Sequence, residues 1–205
     1  MSKTYKLKMV IGGASGSGKT SFLLGKPTLE VDYGNLGVSF KPVEVIINDD
    51  DTYQFIMWDL KTKNNFKFLY PTFCRGASGA FLCFDINDHQ SFEELPFWIN
   101  IVRKNAIIED FKIPIILIGT KTDLNNREVS DDEIHQLMQQ HDLDDVFFIS
   151  IHDEDKKQKK VSIFKSLIEK IQPFYQIEDI SIFIPREDNE FKEFLHAFSN
   201  CIICG

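Results

Sequence analysis

Apolar positions fall along the chain in short β-branched or aromatic runs, separated by stretches whose apolar residues recur with helical spacing. Residues 5–11, 38–47, 53–58, 79–84, 113–118 and 146–149 read as six strands. Helices are expected over about 19–24, 66–74, 92–104, 131–141 and 162–171. Gly25 and Pro27 stop the first of these. The second and third strands form a hairpin around the turn cluster at 48–51, and Pro114 is tolerable near the start of the fifth because the first residues of a strand need not donate to the ladder. Strands alternating with helices imply an α/β fold: a mostly parallel six-stranded sheet with helices on both faces. The hairpin adds one antiparallel strand at an edge, where Pro42 can be accommodated.

Past Pro173 the composition shifts, which divides the chain into a domain over 1–173 and an extension over 174–205. Within the extension, Phe191, Phe194, Leu195 and Phe198 make one helical stripe. Two readings stand for it: a helix docked on its own domain, or one facing a partner or membrane. The run 152–160, HDEDKKQKK, has mixed charge and reads as a solvated loop.

Composition narrows the function classes. The 205 residues, 43% hydrophobic and with 19 Phe against 7 Pro, are enough for a sizeable core and exclude a disordered chain. The 23 basic and 31 acidic residues leave a net charge of −8, which argues against nucleic-acid or broad anionic-membrane binding. No apolar run reaches the ~18–20 residues that span a bilayer. The first residues lack a signal-peptide pattern. The expectation is a soluble cytoplasmic protein, with peripheral attachment to an intracellular membrane left open. Cys74 and Cys83 lie in apolar segments and read as small buried hydrophobes.

The strongest motif is Gly13-Ala14-Ser15-Gly16-Ser17-Gly18-Lys19-Thr20, which matches G-x-x-x-x-G-K-[ST] between a strand and a helix. Glycines there let backbone N–H groups turn inward onto anionic oxygens, and the helix N-terminus adds a favourable dipole. Lys19 brings positive charge to the β/γ-phosphates and stabilises developing charge; the Thr20 hydroxyl is a Mg²⁺ ligand. The motif marks a P-loop NTPase, with Ser15, Gly16, Ser17, Gly18, Lys19, Thr20 and Ser21 around the phosphates. Asp59 closes the third strand at its C-terminal end, where a carboxylate serves Mg²⁺ through water.

The P-loop together with Trp58-Asp59, Arg75-Gly76-Ala77, Gly119-Thr120-Lys121-Thr122-Asp123 and Ser150 resembles a small GTPase of the Ras superfamily. Within it the Rab branch is the nearest look-alike: residues 36–41, LGVSFK, are similar to its IGVDFK, and 73–79, FCRGASG, to its YYRGAxG. The resemblance covers about 5–173. It implies a guanine-nucleotide switch with GTP/GDP and Mg²⁺ as ligands, and effector and regulator proteins as partners through two switch segments. Asp123 would accept hydrogen bonds from the guanine N1–H and 2-amino group. Lys121 would lie along the ring, Thr120 stands where Asn is commonest, and Ser150 with Ile151 would complete the base site. Ile151 and His152 replace the family's Ala and Lys.

The same resemblance exposes two departures. Asn35 takes the place of the switch I Thr that binds Mg²⁺, leaving an amide oxygen as the metal ligand. Where the family reads DTAGQE, this chain has Asp59-Leu60-Lys61-Thr62-Lys63-Asn64. Thr62 replaces a Gly, and Lys63 replaces the Gln that orients the attacking water. A lysine is a donor only. Hydrolysis is therefore expected to be slow or partner-dependent, and a catalytically inactive GTP-binding adaptor is the alternative. An ATP-dependent P-loop kinase is a weaker rival, opposed by Thr120–Asp123 and by the lack of an Arg-rich lid. Cys201 and Cys204 do not form a prenylation box. Acylation sites, a zinc half-site or a plain apolar terminus remain open for them.

Overall fold

The structure, a computed structural model, describes residues 3–25, 37–47, 51–61, 64–108 and 111–172. The elements that alternate along the chain are β1 (Lys3–Gly12), α1 (Lys19–Leu24), β2 (Val38–Ile47), β3 (Asp51–Leu60), a 3-10 turn (Asn64–Leu69) running into α2 (Tyr70–Cys74), β4 (Gly79–Asp85), α3 (His89–Glu93), α4 (Leu95–Asn105), the short pair β5 (Ile107–Ile108) and β6 (Phe111–Lys112), β7 (Ile115–Thr120), α5 (Asp131–His141), β8 (Asp145–Ile149) and α6 (Lys156–Ile171). Six of the strands form one sheet in the order β2-β3-β1-β4-β7-β8. Every pairing in that sheet is parallel except β2 with β3, so the antiparallel strand is at the edge, as the hairpin pattern predicts.

Period-two alternation sorts the side chains into two cores. Val10, Leu82, Phe84, Ile115 and Leu117 pack with Trp98, Ile99 and Val102 of α4 and Ile134 of α5. Ile11, Phe81, Cys83, Ile116 and Ile118 face the other way, onto Phe22 of α1 and Ile163, Phe164 and Leu167 of α6. β4 and β7 are buried along their whole lengths because helices cover both faces, which is why they read as continuous apolar runs.

Several expected boundaries shift. Asp59 lies inside β3, which runs to Leu60, rather than just beyond a strand ending at Trp58. Pro114 falls outside β7; its carbonyl accepts from the Ala80 N–H. The helix expected over 92–104 is two helices meeting at Glu94, because Pro96 has no N–H to continue the first one and sits instead in the opening turn of the second. The run 152–160 is not all loop: α6 begins at Lys156. Asp153 and Asp155 pair with Lys159 at 2.8 and 3.4 Å and place negative charge at the helix's N-terminal end, where its dipole favours it. Asn35, Thr62, Lys63, Cys201, Cys204 and the apolar stripe of the extension lie outside the described residues. Among the described residues no helix is long and apolar enough to cross a membrane.

Candidate functional site

The C-terminal ends of β1, β3, β4 and β7 meet at one edge of the sheet, and the loops leaving them carry the singled-out residues. After β1 the chain turns sharply through Gly13 at φ 133°, where an added Cβ would stand 2.1 Å from the carbonyl oxygen of Cys83. Gly18, at φ 81°, caps α1 from the left-handed region, and a Cβ there would press on Thr120 at 3.0 Å. Lys19, only 7% exposed, folds back over the loop. Its ammonium donates to the carbonyls of Gly13 at 2.8 Å and Ala14 at 2.5 Å. The result is a closed ring of backbone with a buried cation on it, and an ammonium has three donors to share. Ser17 is buried inside the ring, whereas Ser15 and Gly16 form its exposed outer rim.

Thr120, at the end of β7, ties this ring to the second half of the site. Its hydroxyl lies 3.0 Å from the Ser17 carbonyl and 3.1 Å from that of Phe84 and donates to one at a time. Lys121 follows in the left-handed region at φ 60°, and its ammonium reaches Asp85 at 2.6 Å. Burial raises the Asp85 carboxyl, but hydrogen bonds from Lys121 and Asn87 outweigh it and hold that group below its ordinary value. Asn87 also donates to the Lys121 carbonyl at 3.0 Å, so the lysine is fixed at both its backbone and its tip. Asp123 accepts from the Ser150 hydroxyl at 2.5 Å, and that hydroxyl in turn accepts from the His152 N–H at 2.9 Å. A cavity of about 450 Å³ runs from Gly18 and Ser21 past Thr120, Lys121 and Asp123 to Ser150 and Ile151. Phe22 and Leu124 give it apolar wall, and Lys156, whose ammonium donates to the Ile151 carbonyl at 2.6 Å, closes one side.

The third component is Asp59, 4% exposed. Its Oδ2 accepts from the Thr20 hydroxyl at 2.7 Å, from Lys41 at 3.3 Å and lies 3.5 Å from the Ser39 hydroxyl. Thr20 and Asp59 are hard oxygen donors converging beside the P-loop ring, a set that fits Mg²⁺ once phosphate oxygens complete the shell. Among the described residues no group of three or more His, Cys, Asp or Glu side chains is arranged to hold a metal without such help.

Sequence reasoning missed Asp85, Asn87, Ser39 and Lys41 as supports of the site. Ser39 and Lys41 sit inside the 36–41 stretch already singled out, but only the sheet register shows what they touch: Ser39 is opposite Asp59 and Lys41 opposite Met57.

On the opposite face of β2 and β3, Phe40 meets Trp58 edge-on at 4.6 Å and Trp58 meets Phe73 at 5.9 Å. Lys8 covers the Trp58 ring at 3.7 Å and donates to the Arg75 carbonyl at 2.7 Å. Burial lowers the Lys8 ammonium from 10.5 to about 8. Between those values the unfolded chain binds more protons than the folded one, so this group's contribution to stability rises with pH and is flat outside the window. Cys74 and Cys83 work the other way: burial pushes both thiols up to about 12, so their contribution falls as the pH climbs past the ordinary thiol value. Lys8 and the Cys74 thiol influence each other, so the comparison is the urea stability of Lys8→Met against its parent, both carrying Cys74→Ala, which cancels the Cys83 background. The difference should increase in favour of the lysine-bearing protein from pH 8 to 10.5; a flat difference would deny that burial lowers this ammonium.

The matching family model is the Ras family, over residues 8–173. The chain belongs to the Ras family. Its Rab-like character is shared with Ras-related protein Rab-7b of Mus musculus, 35% identical over 144 residues that span 69% of this chain and 72% of that protein. Ras-related protein Rab-18-B of Danio rerio is 31% identical over 168 residues, 80% of this chain and 78% of its own length. A probable Rab-related GTPase of Acanthamoeba polyphaga mimivirus aligns over 95% of this chain and 92% of its own length at 27% identity. Proteins of this kind bind GTP and GDP with Mg²⁺ and work with effectors and regulators. The six-stranded sheet with one antiparallel edge strand is the fold expected of a small GTPase.

Proposed function

We propose that this protein is a Rab-like guanine-nucleotide switch whose hydrolysis is slow or driven by a partner. The observation that carries the reading is the cavity lined by Ser21, Thr120, Lys121, Asp123 and Ser150, which borders the P-loop ring at Gly18, where Thr120 lies against it. In this reading the inward N–H groups of 13–18 and the Lys19 ammonium hold the phosphates, with Ser21 beside them. Thr20 and Asp59 hold Mg²⁺, with the Asn35 amide as a further ligand from switch I. Bound Mg²⁺ neutralises charge on the phosphate oxygens and fixes their orientation. Asp123, kept in place by the Ser150 hydroxyl, accepts from the two N–H edges that guanine has and adenine lacks. Lys121, braced by Asp85 and Asn87, supports the ring face, and Thr120 and Ile151 close the base site.

The domain would span 1–173. The extension over 174–205 would carry the membrane contact, through its apolar helix or through Cys201 and Cys204. Effectors would read switch I and switch II beside the partly exposed Phe40 and Trp58.

Hydrolysis is where this chain departs from its family. Lys63 offers no acceptor to orient a water, and Thr62 has a Cβ that limits backbone rearrangement where the family uses Gly. Positioning and electrostatic stabilisation by the P-loop survive, so a residual rate is expected. The same two residues favour the second reading, a GTP-binding adaptor whose ligand stabilises the fold without turnover.

Chromatography of the nucleotide that co-purifies with the full chain tests the assignment. GTP or GDP is expected, and equal affinity for ATP and GTP would overturn the guanine site. Single-turnover phosphate release then separates switch from adaptor. Lys63→Gln should raise the intrinsic rate by roughly tenfold or more, because it restores an acceptor that can orient the attacking water. An unchanged rate would move the defect to Thr62 or Asn35.

A further inference from the structure

We propose that Lys41 is a built-in counter-cation for Asp59 that makes nucleotide retention in this protein weakly dependent on Mg²⁺. The inference rests on the nucleotide reading above and adds a residue that reading does not use. A carboxylate taken out of water needs matching charge or hydrogen bonds. Asp59 obtains both on a single oxygen, from the Thr20 hydroxyl at 2.7 Å and the Lys41 ammonium at 3.3 Å, with the Ser39 hydroxyl at 3.5 Å.

The Lys41–Asp59 pair is shielded: its side chains are 13% and 5% exposed, against 68% and 84% for the rim pair Lys112–Asp142. Salt therefore screens it little. Its geometry is set by the sheet rather than by a loose loop. β2 runs antiparallel to β3, Ser39 lies opposite Asp59, and two residues further on Lys41 returns to the same face.

Two consequences follow for a divalent cation at Thr20 and Asp59. The carboxylate that would attract it is already matched by one positive charge, and a dication a few ångströms from an ammonium is repelled. When the dication leaves, Asp59 is not stranded as a bare buried anion beside the phosphates, because Lys41 remains on it. Both effects flatten the difference between the Mg²⁺-loaded and Mg²⁺-free states. Lys41 is thus a positioning and charge-matching residue, acting on the phosphate site through Asp59.

The test is dissociation of a ribose-labelled fluorescent GDP from the full chain, followed as free Mg²⁺ is stepped down with a chelator. In the wild-type protein, removing Mg²⁺ should accelerate release by less than about tenfold. Lys41→Met should lower the half-maximal Mg²⁺ concentration roughly tenfold and enlarge the acceleration on chelation by a similar factor, the size expected for removing one nearby charge at partly shielded distance. Lys41→Arg should track the wild type, and Lys41→Gln should track Lys41→Met, which keeps the test alive if the apolar variant fails to fold. A shared Mg²⁺ midpoint for wild type, Lys41→Met and Lys41→Gln overturns the role of Lys41 while leaving nucleotide binding intact. Failure of every protein to hold guanine nucleotide at any Mg²⁺ concentration overturns the nucleotide reading, and this inference with it.

Discussion

Lys19→Ala is expected to lower guanine-nucleotide affinity by about two to three orders of magnitude in calorimetry. The Lys19 ammonium is buried against the carbonyls of Gly13 and Ala14, at the point where the P-loop ring closes. Charge-assisted hydrogen bonds contribute about 1.5–3 kcal/mol each. In the proposed site the ammonium exchanges carbonyl bonds for phosphate ones; losing two such bonds costs about 3–4 kcal/mol or more, and every 1.4 kcal/mol is tenfold in affinity. The substitution also leaves two loop carbonyls to find water, so the apo fold should lose stability as well. Lys19→Met separates the two effects: it fills the same space without the charge, and should bind as poorly while retaining more of the melting temperature. Undiminished uptake of GDP by both variants would refute the phosphate assignment.

Gly13→Ala should be the most disruptive single methyl in the site. The added carbon would stand 2.1 Å from the Cys83 carbonyl oxygen, a backbone atom in the fully buried strand β4 that has no room to retreat. A Cβ is fixed by its own backbone and cannot rotate away, and the backbone there is at φ 133°, which L-residues rarely adopt, so conformational strain adds to the clash. A destabilisation of about 3 kcal/mol or more is expected, from strain and from displacement of the P-loop off β4. Gly16→Ala provides the contrast. Gly16 is also left-handed, at φ 77°, but a Cβ there meets nothing within 4 Å, so only the conformational strain remains, about 1 kcal/mol. Equal melting temperatures for the two variants would show that the close approach to Cys83 does not constrain the loop.

Much of this architecture is legible in the linear pattern. The α/β alternation, the antiparallel edge with Pro42, the buried Cys74 and Cys83, and the helix over Asp131–His141 all follow from local rules. Such rules work where burial and periodicity agree. They misplace boundaries where a distant contact decides. Lys159 holds two aspartates at the start of α6, so charged residues that look like loop become helix. β5 and β6 are two residues each, too short for any periodicity to register.

The division is similar at the site. By itself the sequence determined that a P-loop motif opens a helix after a strand, that a Thr-Lys-Thr-Asp segment at 120–123 and a serine at 150 stand late in the chain, and that a lysine stands at 63. Those are statements about residue type and spacing along a continuous backbone. Tertiary structure alone decided that Thr120 clamps the P-loop, that Asp85 and Asn87 fix Lys121, and that Lys41 sits on Asp59. Each of these joins residues far apart in the chain, on strands or on the loops that leave them, and the order and register of the sheet bring such groups within a hydrogen bond of one another.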